Sequence, residues 1–265
     1  MTLQLAALIY YPIKACRGFE VETAKLETAG LEHDRRMMVT TPEGTFLTQR
    51  EHHKLALVTP ALTNESLTLS APGMEAVSLE IRKKGASHPV KIWKSTGVAA
   101  IDQGDLAASW FSDWLKSSVR LVHLADGYKR KVNPKYAVTS SDHTGFADGY
   151  PILVTSEASL AELNSKMEHP IPMDRFRPNL VVRGGEPFDE DQWSRIQIGE
   201  VELAIVKPCA RCVVTTIDKQ TLQTSHEPLK TLSKFRRRPG GVMFGQNAIP
   251  LNEGHLAAGT PIQIL

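Results

Sequence analysis

The chain has 265 residues, of which 42% are hydrophobic, 23% charged and 6% aromatic, a globular composition rather than a disordered, collagenous or membrane-embedded one. Its 31 Lys and Arg against 29 Asp and Glu leave no global electrostatic footprint for nucleic acid, so any anion site must be local. Three cysteines are too few for a disulfide scaffold, and the odd count points to a reducing compartment where a thiol serves packing, metal binding or redox chemistry.

The apolar run from Leu3 to Tyr11 lacks a basic lead-in and passes straight into Pro12-Ile13-Lys14, so it reads as a first strand and not as a signal peptide. No stretch approaches the roughly 18 consecutive apolar residues of a membrane span, and the cytoplasm is the default location. Strands are expected at 3–10, 37–41, 55–59, 66–70, 77–81 and 90–94. A helix follows at 105–117, with Leu106, Trp110, Phe111, Trp114 and Leu115 at helical spacing after the start signal Gly104-Asp105. Beyond a strand at 120–123, the segment 126–149 is long, polar and aperiodic, which suggests an irregular connection or a lid over a substrate entrance.

A strand at 152–155 leads into a helix at 156–166, with Ser156 as N-cap and Leu160 and Leu163 facing inward. Strands at 180–183, 195–198, 201–206 and 212–217 follow, then a helix at 227–235 with Pro228 in its first turn, where a missing N–H costs little. A last strand is expected at 261–265. Many short strands with few helices between them argue for a mainly β (α+β) protein built of two β-barrel-like units, divided near the polar segment into 1–118 and 119–265.

Common catalytic signatures are missing: there is no dinucleotide or P-loop glycine pattern, no His-Glu-x-x-His and no Gly-x-Ser-x-Gly. Asn64-Glu65-Ser66 matches a glycosylation triplet, which in a cytosolic chain is chance. Cys209-Ala210-Arg211-Cys212 is a C-x-x-C without a second pair for zinc, and it leads into strand-forming Val213-Val214-Thr215-Thr216-Ile217 rather than into the helix a redox dithiol needs. Buried, inert thiols are the plain reading of Cys16 and Cys209. Cys212 differs: Arg211, Lys207 and the run Arg236-Arg237-Arg238 would favour its thiolate, and a single soft ligand suits a metal whose other ligands come from a cofactor. Lys14, Arg35, Arg50 and Arg177 each read singly as solvated surface charge. Arg177, wedged between Phe176 and Pro178 before an apolar strand, has little reason to sit there unless it grips an anion. Together these residues suggest a phosphate-bearing cofactor and a thiolate-bound metal.

The stretches Tyr11-Pro-Ile-Lys-Ala-Cys-Arg-Gly18, Asp34-Arg35, Thr48-Gln-Arg50, Asp148-Gly-Tyr-Pro151, Ser156-Glu-Ala-Ser-Leu160, Arg175-Phe-Arg-Pro-Asn179 and Phe188-Asp-Glu-Asp-Gln-Trp193 occur in this order. They continue with Ile198-Gly199, Cys209-Ala-Arg-Cys-Val-Val-Thr-Thr-Ile-Asp218, Pro228-Leu-Lys-Thr-Leu232 and Phe244-Gly-Gln246. Nearly end to end, this pattern resembles the MOSC (molybdenum cofactor sulfurase C-terminal) proteins with their N-terminal β-barrel domain, among them the amidoxime reducing components. The resemblance implies a molybdenum–molybdopterin cofactor of the sulfite-oxidase type, with Cys212 as metal ligand and catalytic residue and Cys209 not a ligand. Lys14, Arg35, Arg50, Arg177 and Asn179 fall on positions that bind the cofactor.

It also implies reduction of N-hydroxylated compounds: amidoximes, hydroxylamines and N-hydroxylated bases. A cofactor carrier without turnover is the alternative. Ala15 stands where the family often has Ser, which removes one hydroxyl contact to the phosphate. No membrane anchor or desulfurase domain is expected, and the 265 residues hold no iron–sulfur spacing of the plant type, so electrons are expected from a separate flavin or iron–sulfur reductase.

Overall fold

A computed structural model describes residues 2–63 and 65–265; Met1 and Asn64, the latter in the glycosylation triplet, lie outside the described residues. Among the described residues there are 22 strands, most of them short, and three α-helices, in keeping with the mainly β class. None of these helices is long and apolar enough to cross a membrane.

The largest sheet runs in the order Phe19–Val21, Gln4–Tyr10, Leu180–Arg183, Ile152–Ser156, Gly241–Pro250, Val201–Arg211, Arg195–Ile198 and Ile262–Ile264. Arg237–Arg238 attaches to Gly241–Pro250 off this path. Gln4–Tyr10 pairs antiparallel with Leu180–Arg183, Leu8 opposite Leu180, and Thr23–Glu27 pairs with Gly254–Ala257. Strands from the first 31 residues therefore complete sheets of the C-terminal half. Leu5, Leu8, Leu26 and Leu31 are buried in one cluster with Ile152, Val154, Leu180, Val182, Ile196 and Leu203. Leu180, Val181 and Val182 are buried in succession, because a strand covered on both faces needs an unbroken apolar run. Its parallel neighbour Ile152–Ser156 is joined to it through the helix Glu157–Ser165, whose N-cap Ser156 accepts the Ser159 N–H at 3.4 Å.

A second core joins Ile13 and Cys16 to residues 37–124. The helix Asp105–Leu115 buries Ala107, Trp110, Phe111 and Trp114 against Leu47, Leu55, Val58, Leu67 and Leu69, while Leu106 faces outward. Both indoles reach carbonyls from inside this core, Trp110 at 2.8 Å from Glu75 O and Trp114 at 3.1 Å from Lys54 O. The helix stops two residues early, at Lys116, whose left-handed φ of 54° ends the ladder.

Three expectations need correction. Residues 55–59 do not form a strand. His53–Leu57 is a 3₁₀ turn, closed by short-range bonds from Leu55 N to His52 O at 3.1 Å and from Val58 N to Leu55 O at 3.2 Å in place of a ladder; the strand begins afterwards, Thr59–Leu62. Residues 212–217 are likewise a turn, Val213–Thr216, in which the Thr215 and Thr216 hydroxyls donate to Cys212 O at 2.9 Å and Val213 O at 2.7 Å. Local side-chain bonds of this kind offer the backbone an alternative to a sheet ladder. The segment 126–149 is organised around buried Arg130, which donates to Gly145 O at 2.8 Å and to Ala147 O, and it contains the paired strands Arg130–Lys131 and His143–Thr144.

The strand expected at 201–206 runs on through Pro208 as Val201–Arg211, paired with the unanticipated strand Gly241–Pro250. The helix expected at 227–235 spans Leu229–Phe235, with Pro228 at its N-cap.

Candidate functional site

Antiparallel pairing of Gln4–Tyr10 with Leu180–Arg183 brings the end of the first strand beside the start of the second. The loops at that edge, 11–16 and 177–179, meet the turn 34–36 and the C-terminal end of Val201–Arg211. Between them lies an open cavity of about 160 Å³. All six residues singled out in the sequence, Lys14, Arg35, Arg50, Arg177, Asn179 and Cys212, line it.

The lining holds five cations, Lys14, Arg35, Arg50, Arg177 and Arg211, against one carboxylate, Asp148. Arg35 donates to both oxygens of buried Asp34 at 3.0 and 2.7 Å, to Asn179 Oδ1 at 3.1 Å and to Arg177 O at 3.2 Å. The guanidinium groups of Arg35 and Arg177 lie 4.1 and 4.2 Å from the ring centroid of Tyr11. Cation–π contact thus offsets part of the cost of placing two like charges together. Burial pushes the Tyr11 phenol up to about 12, so the ring stays neutral.

Arg177 donates through Nη1 to Cys16 O at 2.7 Å, yet its Nη2 is buried without a partner. Burial, aided by the neighbouring charge of Arg35, pushes its pKa down, although a guanidinium remains charged in any case. Arg211 donates to Cys209 Sγ at 3.0 Å and Phe176 O at 2.7 Å, while its Nε is buried and unpartnered. Such buried orphan donors cost stability unless something outside the chain satisfies them.

Lys14 is buried, donates to Phe146 O at 3.0 Å and pairs with Asp148. Burial lowers its pKa against the pull of Asp148. Asp148 lies at the exposed rim, where it also accepts from Trp93 Nε1 at 3.2 Å, and the Lys14 ammonium beside it holds its carboxyl well below the ordinary aspartate range. Arg50 is exposed and stacks 4.6 Å from the Trp93 ring centroid. Ala15, Arg35 and Arg177 all adopt left-handed φ values, of 69°, 47° and 55°. Non-glycine residues in that region concentrate where a fold holds a ligand clamp.

Asn179 is engaged by the fold itself: Oδ1 accepts from Arg35 and from Leu153 N at 3.2 Å, and Nδ2 donates to Ile9 O at 3.1 Å. It ties three strands together and aims Arg35. Cys16 stands apart from the other two cysteines. It is fully buried in the second core, its thiol pushed up to about 12 by burial. Cys209 and Cys212 both line the cavity as free thiols. Arg211 contacts Cys209 rather than Cys212, and the expected help from Arg236-Arg237-Arg238 is absent. Arg236 is bonded to buried Asp191 at 2.7 and 2.9 Å, Arg238 to the same carboxylate at 2.5 Å, and Arg237 is exposed elsewhere. Among the described residues, no group of three or more His, Cys, Asp or Glu side chains converges as a metal site.

Trp93, Tyr150 and Asn247 also line the cavity and were not anticipated as site residues. Tyr150 and Asp148 fall in the stretch Asp148-Gly-Tyr-Pro151, which was a usable signal. Trp93 had none, since it reaches the cavity from the turn between Val90–Ile92 and Ser95–Val98 with a left-handed φ of 51°.

Comparison with known proteins agrees with the arrangement of the chain. The MOSC N-terminal beta barrel domain matches residues 2–118 and the MOSC domain matches residues 141–263. Mitochondrial amidoxime reducing component 2 of Rattus norvegicus is 37% identical over 238 residues, covering 85% of this chain and 70% of that protein. Mitochondrial amidoxime-reducing component 1 of Homo sapiens is 34% identical over 280 residues, covering 98% of this chain and 82% of that protein. The crystal structure of the YUAD protein from Bacillus subtilis aligns with 99% of this chain and 94% of its own at 14% identity and a TM-score of 0.46.

Proposed function

The chain belongs to the MOSC family, in the branch that joins the MOSC N-terminal β-barrel domain to the MOSC domain, and from that membership we propose that it binds a molybdenum–pterin cofactor and reduces N-hydroxylated compounds. The observation that carries this reading is the cavity, where five cations face one carboxylate beside Cys212 and a buried Arg177 nitrogen lacks any partner. That donor set fits the proposed group: buried guanidinium and ammonium groups for a phosphate, and a soft thiol for a metal that prefers sulfur.

In this reading Cys212 is the protein ligand to the metal. Arg177, Arg35 and Lys14 hold the anionic end of the cofactor, Arg50 completes its binding site, and Asn179 acts through Arg35, which it positions. When bound, the group supplies a two-electron redox couple; the chain supplies position and electrostatics. Asp34 fixes the Arg35 fork, so that little orientation remains to be lost on binding. Trp93 and Tyr150 wall the cavity and limit water around the reacting N–O bond. Two electrons and two protons convert N–OH to N–H and release water. The electrons come from a separate reductase.

The test is metal and pterin analysis of protein made in a molybdenum-cofactor-competent host. Wild type and Cys209→Ser are expected to carry molybdenum near one per chain, and Cys212→Ser to lose it. Equal molybdenum in wild type and Cys212→Ser overturns the ligand assignment, and loss in Cys209→Ser alone transfers it to the other cysteine. Turnover of benzamidoxime with an artificial reductant separates an enzyme from a cofactor carrier, which would instead release its cofactor to an acceptor apoprotein.

A further inference from the structure

The turn Val213–Thr216 has two lined sides. Cys212 and Val214 face the cavity, whereas Val213 and Thr216 line a shallow groove on the outside that shares no residue with the cavity. Val213 is 44% exposed and is peptide-bonded to Cys212. The groove continues over the helix Leu229–Phe235 and ends at Arg237, with Val213, Leu229 and Val242 as its apolar part and Lys230, Arg237 and His226 as its polar rim.

Charge is concentrated here. Residues 207–242 carry eight Lys and Arg against two Asp and Glu, so the remainder of the chain carries 23 against 27. Of these eight, Arg211 lines the cavity, Lys207 lies 4.7 Å from the Tyr136 ring centroid and Lys219 pairs with Asp174, so the charge free at the groove is that of Lys230, Lys234 and Arg237. Arg236 and Arg238 are consumed by Asp191, but no Lys230, Lys234 or Arg237 side chain forms an ion pair among the described residues. Lys234 is exposed on the same helix. Exposed Val213 and half-buried Leu229 beside unpaired cations suit a transient, electrostatically steered protein contact.

Resting on the function proposed above, we propose that this groove is the docking face for the electron donor, and that the donor is an acidic protein carrying a one-electron redox group. A donor seated here lies one residue from the metal-binding thiol and leaves the cavity mouth at Trp93 and Asp148 open to substrate. Two encounters each oxidise one reduced donor by one electron; with two protons from solvent they reduce one N–OH to N–H and water.

The experiment uses a reduced plant-type 2Fe–2S ferredoxin as acidic donor and photoreduced 5-deazariboflavin as a small uncharged one. Stopped-flow reduction of the molybdenum-loaded protein is compared in wild type, in the combined variant Lys230→Glu/Lys234→Glu/Arg237→Glu, in its Gln counterpart, and in the remote control Lys83→Glu/Lys84→Glu. The expected result is a ferredoxin rate that falls with added salt and drops at least about tenfold in the Glu variant. The Gln variant falls between, and the control and all deazariboflavin rates stay at wild-type values. Calorimetric binding of ferredoxin to the apoprotein should show the same ranking.

A wild-type ferredoxin rate that is absent, or that the Glu and Gln variants leave unchanged, overturns the docking face. So does an equal loss with both donors, or tighter binding of a mixed-sequence DNA oligonucleotide than of ferredoxin. Ferredoxin binding and reduction that depend on this face, without turnover of any N-hydroxylated compound, uphold the docking face and overturn the proposed reaction instead.

Discussion

Arg177 is half-buried beside a second guanidinium, with one nitrogen bonded to the backbone and another, itself buried, bonded to nothing in the chain. Read in the sequence, its position between Phe176 and Pro178 hinted at an anion. Only the structure supplies the missing partner count, because an orphan donor is a property of the surroundings. A buried cation without a counter-charge costs stability until its ligand binds. Replacing it by Met is therefore expected to leave the apoprotein at least as stable as wild type, or to raise its stability by about 1–4 kcal/mol. The same change abolishes anion binding. Inorganic pyrophosphate should raise the melting temperature of wild-type apoprotein and leave that of Arg177→Met unmoved. Absence of the wild-type shift would remove the anion role of this residue.

At the level of elements, periodicity placed ten of the 22 described strands to within two residues, since alternation and β-branched runs are local properties, and left eleven others, mostly two to four residues long, unanticipated. It failed where short-range hydrogen bonding replaced a ladder, as at 55–57 and 213–216. It also missed Gly241–Pro250, whose glycines and terminal proline read as loop although the strand sits in the middle of the largest sheet. Gly245 explains why glycine is needed there: its φ is +76°, and a Cβ would lie 2.7 Å from Val154 O and 2.8 Å from the Thr155 side chain. Gly245→Ala combines backbone strain with this clash and should cost about 1–3 kcal/mol in urea unfolding, with an unchanged slope. Unaltered stability would mean that the neighbouring strand Ile152–Ser156 yields more readily than its buried position implies.

For the whole molecule, the decisive feature is that the first 31 residues pack with the C-terminal half. Leu8 is fully buried opposite Leu180, and Leu26 and Leu31 enter the same cluster. The cavity depends on this arrangement, because Lys14 and Arg35 reach Arg177 and Cys212 only when the first strand lies beside Leu180–Arg183. A fragment of residues 119–265 lacks two neighbouring strands of its main sheet and four leucines of its core. Expressed alone, it should show no cooperative thermal transition by circular dichroism; a sharp transition would show that the C-terminal half closes its own core.

The sequence by itself determined the mainly β composition, the family, and most of the basic residues that meet at the cavity. Those are carried by residue types and local spacing. Tertiary structure alone decided that Lys14, Arg35, Arg50, Arg177, Asn179 and Cys212 surround one cavity, that Asn179 braces rather than reaches outward, and that Arg236 and Arg238 serve Asp191. Convergence and partner exhaustion are long-range quantities: they depend on which strands pair and which charges arrive first, and no local pattern encodes either.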